Sequence, residues 1–281
     1  MERKKFIINL IKQKKELSGI SSDFIEELLN ECIRKNKPFW LKIESHPKLE
    51  KSRELKILVK EIRKKLREIY GVFNIDLSKR NNALKELESA VKNKASLNEI
   101  IEIHKKILLT HKSTRERLDY YHEIYKNIFS ITGKPSSILD IGSGLNPLSF
   151  IFMNLKSITY VATEFTEEDC QFLNSYFRIM KSFGIKGNAV RMDLTKSNNF
   201  PESDICFMFK ILDSLESLKP NITKELLSSI NSKFIVVSFP KKTISGKPIS
   251  TKRLAWFKKL IQNYKTFEIE NEIFYIIPKN K

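Results

Sequence analysis

The sequence predicts an all-helical N-terminal part followed by a doubly wound α/β domain that closes with an antiparallel hairpin. Three observations carry this prediction. Through residue 132 the apolar side chains recur every three to four positions, the period of an amphipathic helix. After Gly133 short β-branched and aromatic runs alternate with helical segments, as in a mostly parallel sheet. The stretch SILDIGSGLNPLSF, residues 137–150, joins an apolar strand to a turn with two glycines one residue apart, where sheets of this kind hold ligands.

The elements follow in order. SSDFIEELLNECIRKN opens on a serine or aspartate cap and places Phe24, Ile25, Leu28, Leu29 and Ile33 on one stripe. ELKILVKEIRKKLREIYGVF does the same with Leu55, Leu58, Val59, Ile62, Leu66, Ile69 and Tyr70. Its other face carries Lys60, Arg63, Lys64, Lys65 and Arg67, a run of one sign that suits phosphates, although such runs are usually solvated faces. SLNEIIEIHKKILL begins with a capping box, Ser96 and Glu99, and STRERLDYYHEIYKNIF reads as another helix with Ser113 and Glu116 in the same relation. Strands are predicted over Ser137–Ile141, Thr159–Thr163, Ala189–Met192, Ile205–Phe209, Phe234–Phe239 and Ile273–Ile277, with one more near Thr266–Ile269. The segment FTEEDCQFLNSYFRIMKSFG is a helix ended by Gly184. TFEIE and EIFYII are separated closely enough to form the terminal hairpin. No repeat or low-complexity linker separates the parts, so the boundary is a change of architecture: residues 1–110 helical, residues 111–281 α/β.

Composition narrows the function. With 51 Lys and Arg against 33 Asp and Glu, the net charge is +18, which points to a polyanionic partner or else to a lysine-rich background of solvated faces. Residues 1–110 carry +10 and the remainder +8, so both parts are basic. No apolar run approaches a membrane span, and the basic N-terminus lacks the features of a signal peptide; a soluble cytoplasmic protein is expected. The cysteines Cys32, Cys170 and Cys206 form no CxxC pair, and His46, His104, His111 and His122 form no ligand pattern, so no metal site is expected.

The glycine turn is read next. Gly142 and Gly144 allow a ligand to approach the backbone, but Asn146-Pro147 stands where a dinucleotide fold has its third glycine, and no Gly-Lys-Ser/Thr follows. Pro147 suits the first turn of the next helix. Glu164, 22 residues beyond Gly142, ends the second strand, where a carboxylate accepts both ribose hydroxyls; the alternative is a surface glutamate. Asp193 follows the third strand, placed to accept an adenine amine with Leu194 against the ring. A nucleoside site without pyrophosphate recognition suits S-adenosylmethionine better than NAD or ATP. Arg117 is the candidate partner for that cofactor's carboxylate, unless it is a helix-surface arginine paired with Glu116 or Glu123.

HKSTRERL, ILDIGSGLNPLSF, MFKILDSLE, VVSFPKKTISGK and EIFYII, in this order, resemble the aminoglycoside-resistance methyltransferases of 16S ribosomal RNA that act on guanine N7. KKELSGISSDFIEELL and SLNEIIEIHKK resemble the helical extension by which that family docks on the small ribosomal subunit, so the likeness covers nearly the whole chain. The resemblance implies a Rossmann-like class I methyltransferase fold and S-adenosylmethionine as cofactor. It implies cofactor contacts from Arg117, Gly142, Gly144, Asn146, Glu164 (usually Asp in the family), Asp193 and Leu194. Lys210, Ser238 and Phe239 would lie on the substrate side, and 16S RNA in the small subunit would be the partner of a monomer. Lys60, Arg63, Lys64, Arg67, Lys241 and Lys242 are the candidate phosphate contacts. Phe239 would stack on an extruded base or else serve the core, and His111 would line the pocket or be structural. Two departures stand out: SGKPISTKRLAWF is shorter than the family's loop and carries Pro248, and MFKILD lacks the usual Leu-Pro after the lysine. The segment SHPKLEKSREL also has no clear family counterpart.

Guanine N7 bears a lone pair and no proton, so its methylation needs no general base, in keeping with a sequence that offers no catalytic dyad. Two rival readings remain: a small-molecule methyltransferase with an unrelated helical cap, and a ribosome-binding factor without turnover.

Overall fold

The structure is a computed structural model that describes residues 2–14, 17–67, 76–197, 199–242, 248–249 and 254–279. The chain divides into two packed units, Met1–Asn74 and Ile75–Lys281. This division falls before the boundary expected at 110, because the helices of residues 77–108 pack with the sheet-bearing unit.

The first unit holds α1 (Glu2–Lys12), α2 (Ser22–Lys35), α3 (Lys37–Ser45) and α4 (Arg53–Leu66). The expected stripes are the buried ones: Phe24, Ile25, Leu28 and Leu29 in α2, and Leu55, Leu58, Val59, Ile62 and Leu66 in α4. Ser21 caps α2 by accepting from the Phe24 N–H at 3.2 Å, which settles serine over aspartate. Ser52 caps α4 by accepting from the Leu55 N–H at 3.1 Å. Ile69 and Tyr70, expected to continue the α4 stripe, lie outside the described residues.

The second unit begins with α5 (Leu77–Lys92) and α6 (Leu97–Leu108), the latter capped by Ser96 as expected. The next predicted helix is not continuous. It is α7 (Lys112–Arg117), a 3₁₀ turn at Leu118–Tyr120, and α8 (Tyr121–Thr132). Ser113 is not its cap: His111 occupies the N-cap position, its side chain making no capping bond, and the first turn is tied back by the Thr114 hydroxyl, which donates to the Leu108 carbonyl.

Seven strands follow: β1 (Ser137–Ile141), β2 (Ile158–Glu164), β3 (Ile185–Arg191), β4 (Ser203–Phe209), β5 (Ser232–Pro240), β6 (Lys265–Ile269) and β7 (Glu272–Pro278). Their order is β3-β2-β1-β4-β5-β7-β6, with β1 to β5 parallel and β7 antiparallel to both β5 and β6. The order reverses between β1 and β4, so the turn after β1 stands at the topological switch point. β3 starts four residues earlier than its apolar run suggested, at Ile185.

Alternate strand residues feed two cores. Ile138, Phe207, Val236 and Phe274 join α5, α6, α8 and α9 (Glu167–Ile179) on one face. Leu139, Met208, Val237 and Tyr275 join α10 (Leu212–Leu218), α11 (Ile222–Ser229) and α12 (Ala255–Lys258) on the other.

Candidate functional site

The turn after β1 is fixed to the end of β2. Gly142 and Gly144 take φ of 63° and 55°, left-handed values that glycine adopts without strain. The Gly142 N–H donates to Thr163 Oγ1 at 3.1 Å, the Ser143 N–H to the Thr163 carbonyl at 3.1 Å, and the Gly144 N–H to the Glu164 carboxylate. Pro147 opens a 3₁₀ segment, Asn146–Phe152, close to its expected place.

Asn146 turns its Nδ2 back onto β1. It is buried, and its Nδ2 donates to Asp140 Oδ2 at 2.9 Å, which also accepts from the Tyr160 hydroxyl at 2.6 Å. Asn146 therefore braces the turn from behind against the acid of β1. Burial lifts the Asp140 pKa to about 6, even though both hydrogen bonds and Arg117 work to lower it. Asp140 went unread in the sequence, although its place two residues before Gly142 was the available signal.

Glu164 lies at the end of β2 as expected, 8% exposed, and also accepts from Ser143 Oγ at 3.3 Å and the Phe165 N–H at 3.3 Å. Burial and then the neighbouring Asp169 carboxylate raise its pKa to about 8. Asp193 is half-exposed. Its Oδ1 accepts from the Thr195 N–H and hydroxyl, which fixes the carboxylate, and Oδ2 stands 3.6 Å from Lys196 Nζ. Leu194 packs into the α10–α12 core.

Arg117 is not on the helix surface and pairs with neither Glu116 nor Glu123. It is 2% exposed, and its Nε donates to both carboxylate oxygens of Glu272, at 3.1 and 3.0 Å. Phe209 lies under the guanidinium, 4.9 Å from ring centroid to Cζ. Nη2 is buried and completes no hydrogen bond among the described residues, although the Tyr121 hydroxyl lies close by. A buried guanidinium N–H without an acceptor is the kind of vacancy that a ligand carboxylate fills.

Glu272 extends the cluster. Lys210 Nζ reaches it at 2.9 Å and Glu116 at 2.8 Å, and the Ser238 hydroxyl donates to its Oε1. Burial pushes the Glu272 carboxyl up, but Arg117 and Lys210 outweigh it and hold the group below its ordinary range. Lys210 itself sits at φ 56°, its N–H bonded to the Ser238 carbonyl at 3.1 Å. A strained lysine with its ammonium held between two carboxylates is a positioned group rather than a surface charge. Ser238 supports Glu272 from beneath and is fully buried.

Phe239 corrects the base-stacking expectation. Its ring is 1% exposed and enclosed by Phe257, Tyr275 and Trp256 at 4.8, 6.1 and 6.2 Å, because inward alternation along β5 turns it into the core. His111 lies against the turn, its ring 3.0 Å from where a Gly144 Cβ would stand. Burial and then Arg117 depress its pKa, so it is present as the neutral imidazole.

The phosphate candidates behave differently from one another. Lys60 and Lys64 are exposed. Arg63 donates to the Leu10 carbonyl and, with Lys60, Arg67 and Lys14, lines a groove of about 740 Å³ between α1 and α4. Lys241 and Lys242 pair with Glu268 at 2.6 Å and Glu270 at 3.2 Å, contacts that solvent weakens. Residues 243–247 and 250–253 of the shortened loop lie outside the described residues.

Residues 51–258 match the family described as Ribosomal RNA methyltransferase (FmrO). The chain belongs to this family. It is 32% identical over 227 residues to a 16S rRNA (guanine(1405)-N(7))-methyltransferase of Proteus mirabilis, covering 78% of this chain and 76% of that one. It is 30% identical over 240 residues to the enzyme of that name from Micromonospora echinospora, covering 79% and 82%. The fold matches the 16S rRNA methyltransferase RmtF, solved with S-adenosyl-L-homocysteine, with a TM-score of 0.76 at 21% identity over 100% of this chain and 99% of that one. The family expected from the sequence is thus the family found, with its sheet and terminal hairpin.

Proposed function

We propose that this protein transfers the methyl group of S-adenosylmethionine to N7 of guanine 1405 in 16S ribosomal RNA, a modification that would confer aminoglycoside resistance. The base is the one in the relatives' names. The observation that carries the reading is the buried Nη2 of Arg117, without an acceptor among the described residues, together with the left-handed glycine turn at the sheet's switch point.

The bound cofactor supplies an activated methyl on a sulfonium. Arg117 holds its carboxylate through Nη2 while Glu272 fixes the guanidinium through Nε. Gly142 and Gly144 give it backbone to lie against. Glu164 keeps an acceptor site for a ribose hydroxyl, since a carboxylate accepts at about four sites and three are taken by Ser143, Gly144 and Phe165. Asp193 Oδ2 accepts the adenine amine, and Leu194 backs the ring. On the substrate side Lys210, Glu116 and Glu272 form a fixed charged floor. Their task is to orient the guanine and exclude water; N7 has no proton to remove.

The basic helices through residue 110, with Lys60, Arg63, Lys64 and Arg67, grip ribosomal phosphates, and Lys241 and Lys242 exchange their exposed carboxylates for phosphate. None of the described helices is long and apolar enough to cross a membrane; the enzyme acts as a monomer in the cytoplasm, where assembled subunits are. The test is incubation with labelled S-adenosylmethionine and purified small subunits, followed by reductive cleavage at 7-methylguanine. Cleavage at one decoding-site guanine is expected. Label on free nucleosides alone favours a small-molecule enzyme, and subunit binding without label favours a non-catalytic factor.

A further inference from the structure

Glu116 is the outermost member of the charged floor. It precedes Arg117 in α7, and its Oε2 accepts from Lys210 Nζ at 2.8 Å. Its side chain is 31% exposed, against 6% for Lys210 and none for Glu272. Glu116 Oε1 makes no hydrogen bond among the described residues. Lys210 directly follows β4, the strand beside β1 at the switch point, and Ile211 packs where a Gly142 Cβ would stand. The Lys210–Glu116 pair is therefore set beside the glycine turn, with part of its carboxylate open to solvent.

Charge balance accounts for only half of this arrangement. Arg117 and Lys210 are two buried cations, and Glu272 supplies a single counter-charge for both. Glu116 provides the second through Oε2, which assigns no role to Oε1. An ammonium has three N–H groups, and Glu116 and Glu272 take two of them. One donor on Lys210 and one acceptor oxygen on Glu116 are thus held side by side and uncommitted.

This is the complement of one base edge. Round the rim of guanine, N7 is followed by O6, an acceptor, and then by N1–H and the N2 amine, both donors. Adenine in the same pose turns a donating amine towards the ammonium and a lone pair towards the carboxylate, and both meetings are repulsive. Extruding the base frees this edge from its pairing partner. We propose that Lys210 and Glu116 select guanine at the target position: Lys210 donates to O6, and the Glu116 carboxylate accepts from N1–H and the N2 amine. Because N7 neighbours O6 on the rim, the same contacts set the methyl acceptor. The inference rests on the reading of the protein as a guanine-N7 methyltransferase and names the residues that recognise its base.

The test compares guanine with inosine, which keeps N7, O6 and N1–H but lacks the N2 amine. Small subunits are reconstituted with 16S RNA carrying either base at the target position. Transfer of labelled methyl is measured as kcat/KM at saturating S-adenosylmethionine for the full-length wild type, E116A and E116Q, with folding checked by circular dichroism. All three enzymes meet the same subunits, so any difference in the ease of extruding inosine cancels when they are compared. The guanine-over-inosine preference is expected to fall about tenfold from the wild type to E116A, the size of one hydrogen bond to a charged group. E116Q keeps an acceptor oxygen without the charge, and its preference should fall about threefold. A purely structural Glu116 would slow both bases alike, so an unchanged preference in E116A overturns the proposal however slow that variant is. If E116A does not fold, E116Q decides by the same ratio, and an unchanged preference again overturns it. A wild type that labels neither kind of subunit overturns the parent reading and this inference with it. Transfer to guanine with an unmoved preference overturns this inference alone.

Discussion

Arg117 and Glu272 show what one residue contributes that its neighbours in sequence cannot. Arg117 uses Nε for Glu272 and leaves Nη2 without an acceptor among the described residues. Its two functions therefore separate by substitution. R117M removes the charge-assisted bond to the cofactor's carboxylate, worth about 2 kcal/mol, so S-adenosylhomocysteine affinity should drop about 30-fold in calorimetry. R117K keeps the charge but not the fork, and should fall between the two. E272Q acts the other way. It leaves Arg117 and Lys210 buried without their shared counter-charge, at a cost of about 3 kcal/mol in urea unfolding. Arg117 remains a cation, so ligand affinity in folded E272Q should hold or rise. An affinity loss in E272Q as large as in R117M would mean that the ion pair, not the guanidinium alone, makes the site.

At the scale of elements, the strands and the glycine turn were legible because period-two alternation and a GxG after an apolar run are local signals. The β5–β7 pairing was legible only as a hairpin partner. Register sets Pro240 opposite Glu272 and Ser238 opposite Phe274, and this pairing brings Glu272 to an arginine 155 positions earlier. No spacing rule reports such a meeting. The early start of β3 was hidden for another reason: IKGN reads as a loop, yet Gly187 is paired with Tyr160 and lies under Phe177 of α9. A Cβ there would stand 2.1 Å from Phe177 Cδ1, inside contact distance. G187A should therefore push α9 off the sheet and cost about 2 kcal/mol, seen as a lower melting temperature in scanning calorimetry. A melting temperature equal to the wild type's would show that the ring swings aside. The break between α7 and α8 had no glycine or proline to announce it; residues 118–120 carry Leu, Asp and Tyr, and tertiary contacts decide the turn.

Over the whole molecule, acid and salt act on different terms. His104 lies fully buried between α6 and α9, its Nδ1 donating to the Ile100 carbonyl at 2.7 Å and its ring set edge-on to Tyr176. Burial depresses its pKa to about 4, against the slight support of that carbonyl. The unfolded chain binds the proton near pH 6.5 and the fold does not, so His104 contributes stability that is whole above pH 6.5 and is lost as the pH falls towards 4, about 3 kcal/mol in all. H104Q cannot titrate, and between pH 7.5 and 5 its unfolding free energy should fall by less than the wild type's in urea titrations.

Salt addresses the surface instead. A chain of net charge +18, with both halves basic, gains affinity for RNA by releasing counterions, and the logarithm of its binding constant should fall linearly with that of the salt concentration. The slope counts contacts. Lys60 and Lys64 are exposed, so K60A and K64A should each lower the slope for small-subunit binding by about one, and do so without altering the fold. Arg63 is the control: it is already bonded to the Leu10 carbonyl, so R63A should also lower the melting temperature. If K64A leaves the slope intact while K60A and R63A change it, the phosphates lie over the α1–α4 groove, which Lys60 and Arg63 line, and not over the exposed ridge of α4.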